Sequence, residues 1–129
     1  MALESAEINH VQITVLQTAE EDCKKFYGEI LGFKEIAKPE NLKKRGGAWY
    51  QINGIELHLS IEEHAANNET SKRHICYVVP NLVETQEQLE KRGVEIIPDN
   101  QPVPEWVRFY VRDPGGNRIE IAQRVEFGP

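Results

Sequence analysis

A chain of 129 residues, 40% hydrophobic and 28% charged, has the size and balance of one soluble globular domain. Its formal net charge of −6 argues against the basic face that nucleic-acid binding needs, and no run approaches the roughly 18 apolar residues of a membrane span. Two cysteines, Cys23 and Cys76, and an N-terminal stretch without the basic and apolar regions of a signal peptide lead to an expectation of reduced thiols in a cytoplasm.

Residues 7–16 alternate, with Ile8, Val11, Ile13 and Val15 assigned to one side and His10, Gln12 and Thr14 to the other, the period of a half-buried strand. Ala19 to Leu31 reads as a helix. Thr18 serves as its expected N-cap, acidic residues Glu20, Glu21 and Asp22 fill its first turn, and Cys23, Phe26, Tyr27, Ile30 and Leu31 share one face. Gly32 stops it. A short strand over Phe33–Ala37 and a polar loop over Lys38–Gly47 follow. Ala48–Ile52 and Ile55–Ile61 are then two strands joined by Asn53-Gly54, a strong hairpin signal. The first half therefore reads βαβββ.

The order repeats after a polar linker, Glu62–Ser71. Arg73–Val79 is a strand and Leu82–Arg92 a helix capped by Asn81, with Leu82, Leu89 and either Val83 or Gln86 on its buried side. Gly93 stops this helix as Gly32 stopped the first. A short strand over Val94–Ile97, a proline-rich loop with Pro98, Pro102 and Pro104, and strands Val107–Arg112 and Arg118–Gln123 joined by a turn at 113–117 complete the second βαβββ unit. An internal repeat of this length decides the fold class. The basic clusters Lys43-Lys44-Arg45 and Lys72-Arg73 read as solvated loops.

The chemistry-bearing residues follow the repeat. His10 and His74 open the first strand of each unit, 64 residues apart; Glu56 and Glu120 lie in the last strands, also 64 apart. Two copies of one unit would bring two imidazoles and two carboxylates together, a donor set suited to a divalent metal, whose charge also relieves the repulsion between the carboxylates. His58 lies two residues beyond Glu56 and so points to the same face, which makes it the alternative ligand. Gln12, Trp49, His58, Arg108 and Tyr110 are the candidate substrate contacts by the same alternation. Cys76 shares a face with His74 and reads as a buried, inert thiol. His64 reads as a solvent-exposed linker residue.

Four stretches carry a resemblance to a known family: Asn9-His-Val-Gln-Ile-Thr-Val15, Phe26-Tyr27 with Leu31-Gly-Phe33, Arg73-His-Ile-Cys-Tyr-Val78 and Asp113-Pro-Gly-Gly-Asn-Arg-Ile-Glu120. Together, over about residues 7 to 123, they resemble the vicinal oxygen chelate superfamily, which includes glyoxalase I, fosfomycin resistance thiol transferases, bleomycin resistance proteins and extradiol dioxygenases. The resemblance implies an α+β fold, a single domain of two tandem βαβββ modules (about 7–61 and 73–123) forming a cupped mixed sheet. It implies one divalent ion, Zn, Ni, Co, Mn or Fe, with His10 and His74 as first-strand ligands and Glu120 as the last-strand ligand of the second module. Glu56, or His58 in its place, matches the last-strand ligand of the first. It further implies a lyase or isomerase of glyoxalase type acting on a small vicinal-oxygen substrate, with Glu56 or Glu120 moving a proton. The family's other members imply two alternatives, a metal-free drug- or metabolite-binding protein and a fosfomycin-type thiol transferase. A homodimer is the assembly the family implies.

Overall fold

A computed structural model describes residues 1–64 and 68–126. Residues 65–67 of the expected linker lie outside the described residues. The chain divides into two compact units, Met1–Ala65 and Ala66–Pro129. Each contains a four-stranded mixed sheet and its own helix, so the fold is α+β with the βαβββ order in both halves.

In the first unit β1 (His10–Val15), β2 (Lys34–Ile36), β3 (Ala48–Ile52) and β4 (Ile55–Ile61) lie in the order β1-β4-β3-β2. β1 runs parallel to β4, and the other neighbours are antiparallel. Asn53 turns the β3–β4 hairpin with φ 48, a conformation that asparagine tolerates well. Alternation sends Val15 and Leu59 to one face, where they pack on Cys23 with Ile13, Ala19 and Ile61 around them. Tyr27 and Tyr50 are fully buried nearby, their ring centroids 6.1 Å apart. The helical arm departs from the expected single helix. A 3-10 turn (Gln17–Ala19) leads into α1 (Glu20–Lys25), which widens into a π-helical turn (Phe26–Ile30) closed by Leu31 N–H donating to Phe26 O at 2.8 Å. Thr18 is not the cap: Ala19 holds that place, with no side-chain hydrogen bond. Ile8 lies outside β1 and is 67% exposed; its number has the parity of His10, so alternation never placed it with Val11.

In the second unit β5 (His74–Val78), β6 (Ile97–Pro98), β7 (Trp106–Arg112) and β8 (Arg118–Arg124) take the matching order β5-β8-β7-β6. α2 (Leu82–Lys91) buries Leu82 and Leu89, whereas Val83 is exposed. Its cap is as expected, with Asn81 accepting from Glu84 N–H. The strand expected over Val94–Ile97 forms only at Ile97–Pro98. Proline at its end cannot donate to a ladder and keeps it short.

The residue rows run the same way through both sheets. Ile36 faces Trp49, Trp49 faces His58, and His58 faces Gln12. Ile97 faces Tyr110, Tyr110 faces Glu120, and Glu120 faces Cys76. One row further, His10 faces Glu56 and His74 faces Arg118. The repeat therefore equates His10 with His74, as expected, but His58 with Glu120 and Glu56 with Arg118. The equal spacing of Glu56 and Glu120 is not a repeat equivalence. The first unit spends more residues between β1 and Gly32 than the second spends between β5 and Gly93. The second takes a longer last turn, through 113–117 instead of Asn53-Gly54, and these differences leave the last strands out of step with the first.

Candidate functional site

Each sheet has one apolar face under its helix and one polar face, and every expected site residue lies on a polar face. In the second unit His74, Glu120, Tyr110 and Arg108 come together. His74 Nδ1 lies 2.9 Å from Lys72 O, and a carbonyl can only accept, so Nδ1 carries the proton. The other nitrogen, Nε2, lies 3.0 Å from Glu120 Oε1. In a neutral ring that nitrogen presents a lone pair, and a lone pair facing a carboxylate oxygen is repulsive unless a proton or a cation lies between them. An oxygen accepting from the N–H of the far nitrogen is also how metal-binding histidines are held in orientation. Glu120 is 8% exposed. Its Oε2 accepts from Cys76 Sγ at 3.4 Å and from Arg108 Nη1 at 3.5 Å. Partial burial, then the Glu120 hydrogen bond, push the Cys76 thiol up to about 11, so it stays protonated and donates. Cys76 is exposed, not the buried thiol expected.

Arg108 has little left for a substrate. Its Nε donates to Asp99 Oδ2 at 3.0 Å and its Nη2 to Gln101 O at 2.9 Å. The Gln101 N–H, then the Arg108 guanidinium, hold the Asp99 carboxyl below the usual carboxylate range. Asp99 went unnoticed in the sequence because its only mark there is a place in a proline-rich loop. Tyr110 is buried between His74, edge-on at 6.1 Å, and Arg118, whose Cζ lies 4.1 Å from the ring centroid.

In the first unit His10, His58, Glu56 and Trp49 come together. Trp49 and His58 stack at 3.8 Å with planes 3° apart, and His58 stacks on His10 at 4.1 Å. The three rings make a column across β3, β4 and β1. His58, 5% exposed, has Nε2 2.9 Å from Glu56 Oε1, which fixes the ring's rotation. His10 Nδ1 lies 2.8 Å from Asn9 Oδ1. His10 and His74 thus share both strand position and an oxygen on Nδ1 supplied from just upstream. Gln12 is exposed and makes no side-chain hydrogen bond among the described residues. His64 is exposed.

Among the described residues no group of three or more His, Cys, Asp or Glu side chains is arranged to hold a metal ion. The two half-sets differ in how they suit one. Adjacent ligands on an octahedral ion with bonds near 2.1 Å lie about 3 Å apart, which is the His74–Glu120 separation. His10 and His58 do not fit together: lone pairs lie in the ring planes, and parallel planes cannot aim both at one ion. A single imidazole from that column is what the geometry offers.

A sequence model of the Glyoxalase/Bleomycin resistance protein/Dioxygenase superfamily matches residues 7–121. The chain is 40% identical to a solved structure of a Bacillus anthracis protein assigned to the glyoxalase family, with a TM-score of 0.82 and coverage of 92% of this chain and 95% of that one. It is 28% identical to Glyoxylase I 4 of Arabidopsis thaliana over 88% of this chain and 68% of that protein. It is 26% identical to a virulence protein of Salmonella typhimurium (strain LT2) over 92% of this chain and 84% of that protein. Among the described residues no helix is long and apolar enough to cross a membrane.

Proposed function

The chain belongs to the Glyoxalase/Bleomycin resistance protein/Dioxygenase superfamily, and from that premise we propose that it is a small metal-dependent enzyme of glyoxalase type, a lyase or isomerase acting on a small substrate with neighbouring oxygens. The observation that carries this reading is the His74–Glu120 pair, an imidazole nitrogen 3.0 Å from a carboxylate oxygen on a ring whose other nitrogen is engaged by Lys72 O. A divalent ion bound there would act as a Lewis acid on the substrate's oxygens. His10 joins the proposed ligand set because its Nδ1 is engaged in the same way as that of His74. Because the stacked His58 cannot share an ion with His10, the proposed set stops at three protein donors, His10, His74 and Glu120, and His58 serves to orient Glu56.

That leaves Glu56 for proton transfer. It is half-buried, faces His10 across the ladder and is hydrogen-bonded to His58, so its carboxylate is oriented beside the proposed ligands without needing to be one. Elemental analysis and calorimetric titration with Zn, Ni, Co, Mn and Fe(II) test the reading. Affinity for at least one is expected, with strong loss in Glu120→Gln while circular dichroism stays unchanged. Metal-loaded protein should also turn over a hemithioacetal or an epoxide. A second reading, a protein that sequesters a planar compound without chemistry, is favoured by the Trp49–His58–His10 column, since flat rings stack on flat rings. No affinity for any of the five metals, with tight binding of a planar aromatic compound, would select it.

A further inference from the structure

Four arginines share the polar face of the second sheet, and three of them have hydrogen-bond or ion-pair partners, Arg124 with Glu105. Arg108 is held by Asp99, Gln101 O and Glu120, and Arg112 donates to Asn68 O and Gly116 O. Arg118 differs. Its guanidinium sits 4.1 Å from the Tyr110 ring centroid, and it makes no hydrogen bond or ion pair among the described residues. A guanidinium has five N–H donors and keeps its charge at any ordinary pH. The aromatic ring attracts the charge and holds the group in place, but it satisfies none of those donors. Arg118 is half-buried, so solvent reaches it only in part. Its strand partner is His74, and Glu120 follows two residues later on the same face.

We propose that Arg118 binds an anionic group of the substrate, a carboxylate or phosphonate whose two oxygens match the guanidinium fork, next to the His74–Glu120 pair. The substrate class is then a small acid oxygenated at the neighbouring carbon. One end is recognised by Arg118, and the other oxygens lie toward His74 and Glu120. The position of those other oxygens rests on the metal reading; the anion contact does not.

The test is an NMR titration of the 15N-labelled full chain, following the Arg118 Nε–H signal, first metal-free and then with zinc. Pyruvate and hydroxymethylphosphonate serve as carboxylate and phosphonate probes, and methyl pyruvate as the uncharged control. Both anions should shift the Arg118 signal and the His74 backbone amide; the ester should not. Arg118→Gln should weaken anion binding about tenfold or more, as loss of one charge-assisted pair does. Arg118→Lys should retain part of it, and zinc affinity should be the same in both variants as in the parent. If neither anion moves the Arg118 signal, or Arg118→Gln binds them as tightly as the parent, the proposal is overturned while the metal reading stands. Anion binding through Arg118 in a protein that takes up no metal would sustain the proposal and remove the metal reading.

Discussion

Glu120 has three polar neighbours, His74 Nε2, Cys76 Sγ and Arg108 Nη1, and the balance among them bears on what it can bind. Arg108 lies between two carboxylates, closer to Asp99 at 3.0 Å than to Glu120 at 3.5 Å. A guanidinium drawn fully onto Glu120 would compete with any divalent cation there. Asp99 therefore acts as a restraint on Arg108 from outside the proposed ligand set. Asp99→Asn keeps the acceptor for Gln101 N–H but removes the charge, so Arg108 should move onto Glu120. Metal affinity is expected to fall about tenfold, equivalent to about 1.4 kcal/mol, by calorimetric titration. The double variant Asp99→Asn/Arg108→Gln should recover it. Unchanged affinity in the single variant would remove Asp99 from the argument. Alternation in the sequence was enough to put Arg108 and Tyr110 on the right face. It could not reveal that Arg108 is already committed, because that depends on a loop residue nine positions away with no periodic signature.

Local geometry sets how much each connection matters. At Gly47, just before β3, φ is 75 and a Cβ would come within 2.0 Å of Leu59 O, a backbone atom of the neighbouring strand. Gly47→Ala combines a strained conformation with a clash that no side-chain rotation relieves, so a loss of roughly 3 kcal/mol or more is expected. Asn81→Ala removes only the cap of α2 and should cost about 1 kcal/mol. Urea unfolding of the two variants reads the difference, and equal losses would contradict it. The same elements show what was legible beforehand. The hairpin at Asn53-Gly54, the glycine stops and the Asn81 cap are short-range signals, and all appear where their chemistry puts them. The register of β1 on β4 and of β5 on β8 is not short-range. It depends on how many residues the 3-10 and π turns absorb before Gly32 and on the longer turn through 113–117. Neither leaves a hydrophobic period behind, so in the sequence the Glu56–Glu120 spacing looks like a repeat although the two residues stand in different rows.

At the scale of the whole molecule, β1 and β5 each form an outer strand of their sheet, and β5 carries Val78 at 61% exposure. Outer strands bearing exposed apolar residues favour cover by another chain, and a homodimer is the proposed state. Light scattering should give twice 14.8 kDa, and a monomer mass at tens of micromolar would reject it. The division of the proposed ligands between two units supplies the sharper test. His74 and Glu120 belong to one unit and His10 to the other. Two protein ligands hold a catalytic metal poorly, since such sites generally use three. If His74 and Glu120 alone bound an ion, His10→Ala would leave affinity untouched. If His10 is a ligand to the same ion, His10→Ala and His74→Ala should each weaken binding by a similar large factor, and the parent should bind one ion per chain. Two ions per chain, with each variant losing one, would mean that the units bind independently. The glyoxalase-type reading would then lose its single shared site. The His10→Ala titration separates these cases, and its far-ultraviolet circular dichroism should match the parent's, because His10 is exposed and its partners among the described residues are Asn9 and the His58 ring.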